Sequence, residues 1–468
     1  MRISVSKHII VIFFLVVGNI NGFSQQRLGF QDYMTLVRSF HPVALQAALN
    51  EEIGKQNLRA ARGGFDPALY SNIGQKYFEN DQYYSLVDAG LKVPTWFGLD
   101  FYAGFEQNSG VNLNPERKTP ENGLAYAGVS LPVGQGLFID QRRADVRQAQ
   151  LFEQITYEEQ RLMLNSVLRA ASNAYWNWFA AYEIVQIFEK GVELAQERFE
   201  GIRESAIQGD LAIIDTVEAF ILVQNRLIGL EDALLSFRNA GQELSVFLWA
   251  DNLIPLEITD ELVPEKNNDL KDFIVDELIT NTFDSLINNH PIMLQNQLTI
   301  GQLEIERRWK AEQLKPVVNV KYNFLNEPVA GAVINGATLN NYNWGLQFYM
   351  PLFLRKERGQ LNLTKLKILD AELDLENQRL GLKAAVQKSV NTWETTREQV
   401  LIFESAVVNL ERLLNAEISK FDVGESSIFL INTREDNFIN GQIRLTNLIA
   451  NNQKALVDIS FQLGILGD

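Results

Sequence analysis

Three histidines, His8, His41 and His290, are the only imidazoles in this 468-residue chain, and cysteine is absent. The chemistry such residue types could do is metal binding or nucleophilic catalysis. The spacing supports neither. His41 and His290 stand 249 residues apart, each directly before a proline, with no HExxH pattern or carboxylate cluster around them, so both are expected to be structural. Without cysteine there is no disulfide, thiolate ligand or Cys nucleophile. No GxSxG, P-loop or helix-opening GxGxxG occurs, and nothing pairs a serine with a base. The sequence therefore points to no enzyme, no metal and no cofactor. The remaining candidates are polar residues beside two glycines: Asp210 and Asp215 after Gly209, and Glu425, Asn432 and Arg434 after Gly424. Their chemistry would be electrostatic, because carboxylates held close together repel and need hydrogen bonds or an arginine to settle. The alternative use of the same residues is helix-start chemistry and solvated faces.

The elements that would position them are very long helices. From Leu137 to Gln208 there is no proline, and the only glycines are Gly191 and Gly201; from Arg355 to Val423 there is again no proline. About 70 residues at about 1.5 Å each make a rod of roughly 100 Å, far beyond the mean globular helix of about 11–12 residues. Val386, Trp393, Val400, Val407, Leu414 and Phe421 recur at every seventh position, as do Ala171, Trp178, Val185, Val192, Phe199 and Ala206. A sustained period of seven predicts coiled-coil packing against partner helices. Gly209-Asp210-Leu211 and Gly424-Glu425-Ser426-Ser427 then read as turns. Glycine allows the left-handed cap, and the acid suits the start of a return helix over 210–250 or 425–464.

The chain repeats itself. His41-Pro42 matches His290-Pro291, Pro67 matches Pro316, Leu131-Pro132 matches Met350-Pro351, and Trp178 matches Trp393. Residues 25–250 form the first repeat, with a helix, a β region over 66–132, a long helix over 137–208 and the return helix. Residues 251–272, with Pro255, Pro264 and Asn267-Asn268, read as a linker. Residues 273–468 form the second repeat, with helices, a β region over 316–351, a long helix over 355–423 and the return helix.

In the second β region, Val318, Val320, Tyr322 and Phe324 alternate with Asn319, Lys321 and Asn323. Tyr342, Trp344, Leu346 and Phe348 alternate with Asn343, Gly345 and Gln347. Apolar out and polar in is the pattern of outer-membrane strands, whose aromatics sit at the bilayer interfaces. A half-buried soluble sheet would show the same period. In the first repeat, Ala68–Tyr77 and Leu124–Leu131 alternate less cleanly, and Phe97, Leu99, Phe101, Ala103 and Phe105 add a further run. Four strands, two per repeat, cannot close a barrel, which takes at least about eight. An open edge in lipid leaves backbone groups unpaired, so several protomers would have to share one.

The N-terminus reads as an export signal over residues 1–24. Arg2 and Lys7 precede an apolar run from Ile9 to Val17, and Gly22-Phe23-Ser24 is a small-x-small cleavage site. No later stretch reaches 18 apolar residues in a row. A net charge of −16 with no Lys/Arg run speaks against nucleic acid as a partner.

His41-Pro42, Pro67, Leu131-Pro132, Gln141-Arg142-Arg143-Ala144-Asp145-Val146, Gly209 to Asp215 and Gly424 to Ser427 together resemble the TolC-like outer-membrane efflux proteins. The resemblance runs from about Leu28 to Leu466. It implies a mainly α fold with a small β part: a homotrimer in which four strands per protomer build one twelve-stranded barrel in outer-membrane lipid and the helices an α-barrel in the periplasm. The implied function is a passive exit duct of a tripartite efflux or type I secretion system, with a periplasmic adaptor and an inner-membrane transporter as partners. A periplasmic coiled-coil scaffold without a membrane barrel is the alternative. In the matching family motif the position of Asp215 carries polar contacts of the periplasmic gate or tip, and Asp210, Glu425, Asn432 and Arg434 are gate candidates because they lie near the same turns. The resemblance implies that the helix-hairpin turns at Gly209, Leu211, Gly424, Ser426 and Ser427 contact the adaptor, while the strand alternation makes Tyr322, Tyr342, Trp344 and Phe348 the candidates for lipid-facing or interface aromatics. Two departures stand out. The stretch from Leu86 to Pro120 is a longer insertion than the usual loop, and Asn432-Thr433-Arg434 stands where gate acids often occur. Lacking cysteine, the chain falls outside the lipid-anchored branch.

Overall fold

The structure, a computed structural model, describes residues 26–259, 261–265, 283–328 and 340–467. The export signal at 1–24 and the 266–272 part of the expected linker lie outside the described residues. The first half runs β1 (Gln26–Leu28), α1 (Phe30–Phe40), α2 (Pro42–Arg62), β2 (Ala68–Phe78), β3 (Asp81–Pro94), β4 (Asp100–Ser109), β5 (Leu124–Pro132), α3 (Gln141–Gln208) and α4 (Ile213–Ser245). Short strands β6 (Trp249–Ala250), β7 (Ile254–Pro255) and β8 (Leu262–Pro264) follow. The second half runs α5 (Phe283–Asn288), α6 (Pro291–Glu312), β9 (Val317–Asn326), β10 (Tyr342–Tyr349), α7 (Arg355–Asp422) and α8 (Ile428–Gln462). The two long helices, α3 and α7, have 68 residues each. Among the described residues no helix is long and apolar enough to cross a membrane.

The chain divides into two compact units. One comprises Met1–His41, Leu168–Lys271 and Thr392–Val457. Its core is helix against helix. Tyr33, Val37, Ala171, Tyr175, Trp178 and Leu244 are buried, the Tyr33 hydroxyl donates to the Ala171 carbonyl at 3.2 Å, and Trp178 stacks on Phe237 with ring centres 6.1 Å apart. Every-seventh-residue positions Val185, Val192, Val400 and Leu414 are buried as well, which is how a coiled-coil seam places them. β1 pairs with β8 in parallel, and β6 pairs with β7.

The other unit comprises Pro42–Val167, Asp272–Asn391 and Asp458–Asp468. The prolines of both HP steps start helices: Pro42 opens α2 and Pro291 opens α6. Proline suits that first position because its missing N–H would be unpaired anyway. His290 Nδ1 accepts the Ile292 N–H at 3.2 Å, and burial, helped by the Arg161 charge, lowers the imidazole pKa to about 4. The long helix α3 starts at Gln141 rather than 137, because the Asp140 carboxylate takes the Arg143 N–H at 2.9 Å and caps it there.

The sheet of this unit differs from expectation in its strand count. Six antiparallel strands, in the order β10-β9-β5-β4-β3-β2, replace the expected four. The additional pair is β3 and β4. The stretch from 86 to 120 is therefore no inserted loop; it holds most of β3, all of β4 and most of the connection to β5. Glu79 and Asn80, both at positive φ (54° and 69°), close the β2–β3 hairpin, as a tight primed turn requires.

Candidate functional site

Two regions carry the residues singled out by sequence, one in each unit. In the first unit both glycines end their helices. Gly209 has φ +88° and Gly424 +79°. Gly209 N–H donates to Ala206 O at 3.2 Å and Asp210 N–H to Ser205 O at 3.0 Å. The corresponding bonds run from Gly424 to Phe421 at 2.9 Å and from Glu425 to Lys420 at 2.8 Å. These are Schellman caps, which satisfy the last carbonyls of each helix. Ile202, Ala219 and Ile428 form a buried cluster with Leu211, Phe199 and Phe421 against it, so the two turns are held together.

Around this joint the polar residues have definite partners. The Asp215 carboxylate accepts the Ala212 N–H at 3.2 Å and so caps α4. Asp210 and Glu425 are exposed. Arg434 meets its own chain's Glu417 at 3.6 Å. The Ser426 hydroxyl donates to the same carboxylate at 2.6 Å, and that bond, with Lys420 and Arg434 nearby, lowers the Glu417 pKa. Asn432 Oδ1 is buried without a hydrogen-bond partner among the described residues. Ser427 is exposed, and its carbonyl starts α8 by accepting from Leu430 and Ile431.

Two features of this region were not read from the sequence. The first is a buried charge cluster: Glu435 on α8 contacts Arg198 on α3 and lies 3.6 Å from Arg226 on α4, which reaches Asp436 at 2.5 Å. The second is an apolar surface flanking both turns, with Ile207, Ile213 and Ile214 beside one and Val423 and Phe429 beside the other, all at least 65% exposed. A signal for it was present, since turn flanks are ordinarily polar.

In the second unit the sheet carries two opposite chemistries, because a strand alternates its side chains. Through the register, Tyr342, Phe324, Ala127, Ala103, Leu91 and Leu69 form one row across all six strands. Trp344, Tyr322, Val129, Phe101 and Val93 form the next row on that face. Tyr342, Trp344, Leu346 and Phe348 are exposed, and Tyr322 stacks on Tyr342 at 5.6 Å. The opposite face is polar: Asn343, Asn323, Gly128, Tyr102 and Lys92 share a row. Asp100 joins Lys92 and Arg142, both at 3.1 Å. The Tyr126 hydroxyl donates to Asp88 at 2.7 Å and bonds Tyr70. The arrangement fits a sheet with lipid on one side and water on the other.

No family model and no curated protein matches the sequence. Solved structures do match. The outer membrane channel CmeC of Campylobacter jejuni is 13% identical, with a TM-score of 0.63, covering 93% of this chain and 85% of that one. The outer membrane protein VceC of Vibrio cholerae is 12% identical, with a TM-score of 0.63, covering 93% and 95%. The open state of the MtrE outer membrane channel of Neisseria gonorrhoeae is 12% identical, with a TM-score of 0.65, covering 95% and 93%. At such identities the likeness is one of fold, and the chain has the fold of these TolC-like outer-membrane channels.

Proposed function

We propose that this chain, folded like those channels, is one protomer of a trimeric exit duct in the outer membrane, with its helical hairpins in the periplasm. The observation that carries the reading is the sheet: one face mostly apolar, with large exposed side chains such as Leu69 and Ile73 on β2, Phe101 on β4, Phe324 on β9 and Trp344 and Phe348 on β10, the other polar, and both edges without a partner strand among the described residues. Such a sheet is stable in lipid only when its apolar face meets hydrocarbon and its edges find partners. A periplasmic scaffold would leave that face in water. The duct does no chemistry. Its cargo passes down a gradient or is driven by an inner-membrane transporter, reached through a periplasmic adaptor at the turns around Gly209, Leu211, Gly424, Ser426 and Ser427. The exposed apolar residues beside those turns are suited to such docking. Asp210, Asp215, Glu425, Asn432 and Arg434 belong to the gate, and the Arg434–Glu417 pair steadies its closed form.

Extraction and sizing test the reading. The protein is expected in the outer-membrane detergent fraction as a trimer by native mass spectrometry. A monodisperse monomer with intact β content overturns it. The gate is tested in planar bilayers. Arg434→Ala is expected to raise conductance and Asp215→Ala to weaken cation preference; parent-like conductance and selectivity in both remove these residues from the gate.

A further inference from the structure

Resting on the trimer reading, we propose that all six strands of each protomer enter the shared barrel, β2 of one copy pairing with β10 of the next, so that three copies of the six-stranded sheet make an 18-stranded barrel. Four observations carry this. The added strands belong to one continuous ladder: β3 pairs with β4 over ten positions, from Pro94 opposite Asp100 to Ser85 opposite Ser109. The face alternation continues through them, since Leu69 and Leu91 extend the apolar row of Tyr342 and Phe324. On the polar face Lys92 of β3 joins Asp100 of β4, and Tyr126 of β5 bonds both Asp88 of β3 and Tyr70 of β2, tying the added pair to the strands on either side. Finally, among the described residues the edge strands without a second partner are β2 and β10, of 11 and 8 residues, and β10 is exposed along its whole length.

Direction agrees as well. Five successive antiparallel pairings separate β2 from β10, so the two edges run oppositely. A β10–β2 junction continues the antiparallel order around a closed, even-numbered barrel, the form that bacterial barrels take. Strands about 4.8 Å apart and tilted by about 40° give a backbone diameter of about 24 Å for twelve strands and about 36 Å for eighteen. The wider barrel leaves an aqueous channel, as porins of about 16–18 strands do.

The absence of cysteine makes engineered disulfides unambiguous. Double variants combining Leu69→Cys or Ile73→Cys on β2 with Tyr342→Cys, Leu346→Cys or Phe348→Cys on β10 are oxidised in membranes. Facing residues in neighbouring strands have Cβ atoms about 4.5–5.5 Å apart, so at least one pair is expected to give linked dimers and trimers on non-reducing gels. Phe101→Cys or Phe105→Cys on β4 with the same β10 partners is expected to give none. Linkage from β4 to β10 means that β2 and β3 fold away from the barrel, and it overturns the proposal. So does the absence of any β2–β10 linkage in assembled protein. Images of the unmodified assembly in nanodiscs are expected to show 18 strands; 12 strands from three copies overturn it without any substitution. Native mass spectrometry gives the copy number separately, so a failed trimer is told apart from a failed junction.

Discussion

Glu435→Gln tests the buried charge cluster where three helices of the first unit meet. The Glu435 side chain is 2% exposed, between Arg226 at 8% and Arg198 at 16%. The substitution keeps the shape and removes the charge. Arg226 retains Asp436 at 2.5 Å, whereas Arg198 loses the only ion-pair partner described for it. At an effective dielectric of about 20, opposite charges about 4 Å apart attract by about 4 kcal/mol. Removing one partner of a buried pair typically destabilises by about 3–5 kcal/mol. Because Asp436 remains, the lower end, about 3 kcal/mol, is expected. For a cooperative unit of about 150–250 residues that is a fall in Tm of roughly 6–12 °C. Urea unfolding in detergent, followed by the fluorescence of buried Trp178 and Trp393, reads the loss. The combined variant Arg198→Met, Glu435→Leu, Arg226→Met is expected to recover most of it, since an apolar trio carries no desolvation penalty. A Glu435→Gln protein within about 0.5 kcal/mol of the parent, the range of ordinary surface substitutions, refutes the reasoning.

Other outcomes follow from particular residues. His290, with its pKa lowered to about 4 by burial, favours the neutral folded form. Its contribution is complete above the unfolded value near 6.5 and is lost as pH falls from about 6.5 to about 4, a change of up to about 3 kcal/mol. The stability gap between parent and His290→Asn should shrink over that window, and a gap independent of pH contradicts the assignment. Trp344→Arg and Leu346→Arg are expected to block outer-membrane assembly, costing about 2–4 kcal/mol at mid-membrane depth, whereas Asn343→Arg on the opposite face is tolerated. Equal yields of all three in membrane fractions would show that this face does not meet lipid. Gly209→Ala and Gly424→Ala meet no neighbouring atom, so their cost is the left-handed backbone alone, about 1–2 kcal/mol each. Gly201→Ala, inside α3 with open space around it, should instead stabilise by about 0.5–1 kcal/mol. Hydrogen exchange at the three sites separates the two signs.

The long helices were legible because an apolar residue at every seventh position survives any tertiary detail. The cap glycines were legible because a left-handed helix end favours glycine, which takes that φ without strain. β9 and β10 were legible through large aromatics on one face and amides on the other. β3 was not. Its apolar face is built partly from Ser85 and Ala89, its polar face includes Leu86, and its hairpin turn, Glu79-Asn80, holds no glycine. The pairing supplied by β2 and β4 makes it a strand. The buried charge cluster was hidden for a different reason. Arg198, Arg226 and Glu435 each look like a solvated position on an amphipathic helix, and only the meeting of α3, α4 and α8 brings them together. Arg434 was read as a gate partner, while its nearest acid, Glu417, went unnoticed one helix away.

The central claim is that the sheet spans the outer membrane and leaves the helical turns in the periplasm. Single cysteines at Asn112, between β4 and β5, and at Asp210, after Gly209, are both exposed positions in a chain with no other thiol. Intact cells are treated with a membrane-impermeant maleimide, before and after the outer membrane is permeabilised. Labelling of Asn112→Cys in intact cells, with Asp210→Cys reacting only after permeabilisation, is the predicted result. Asn112→Cys protected until permeabilisation, or Asp210→Cys labelled in intact cells, contradicts the account.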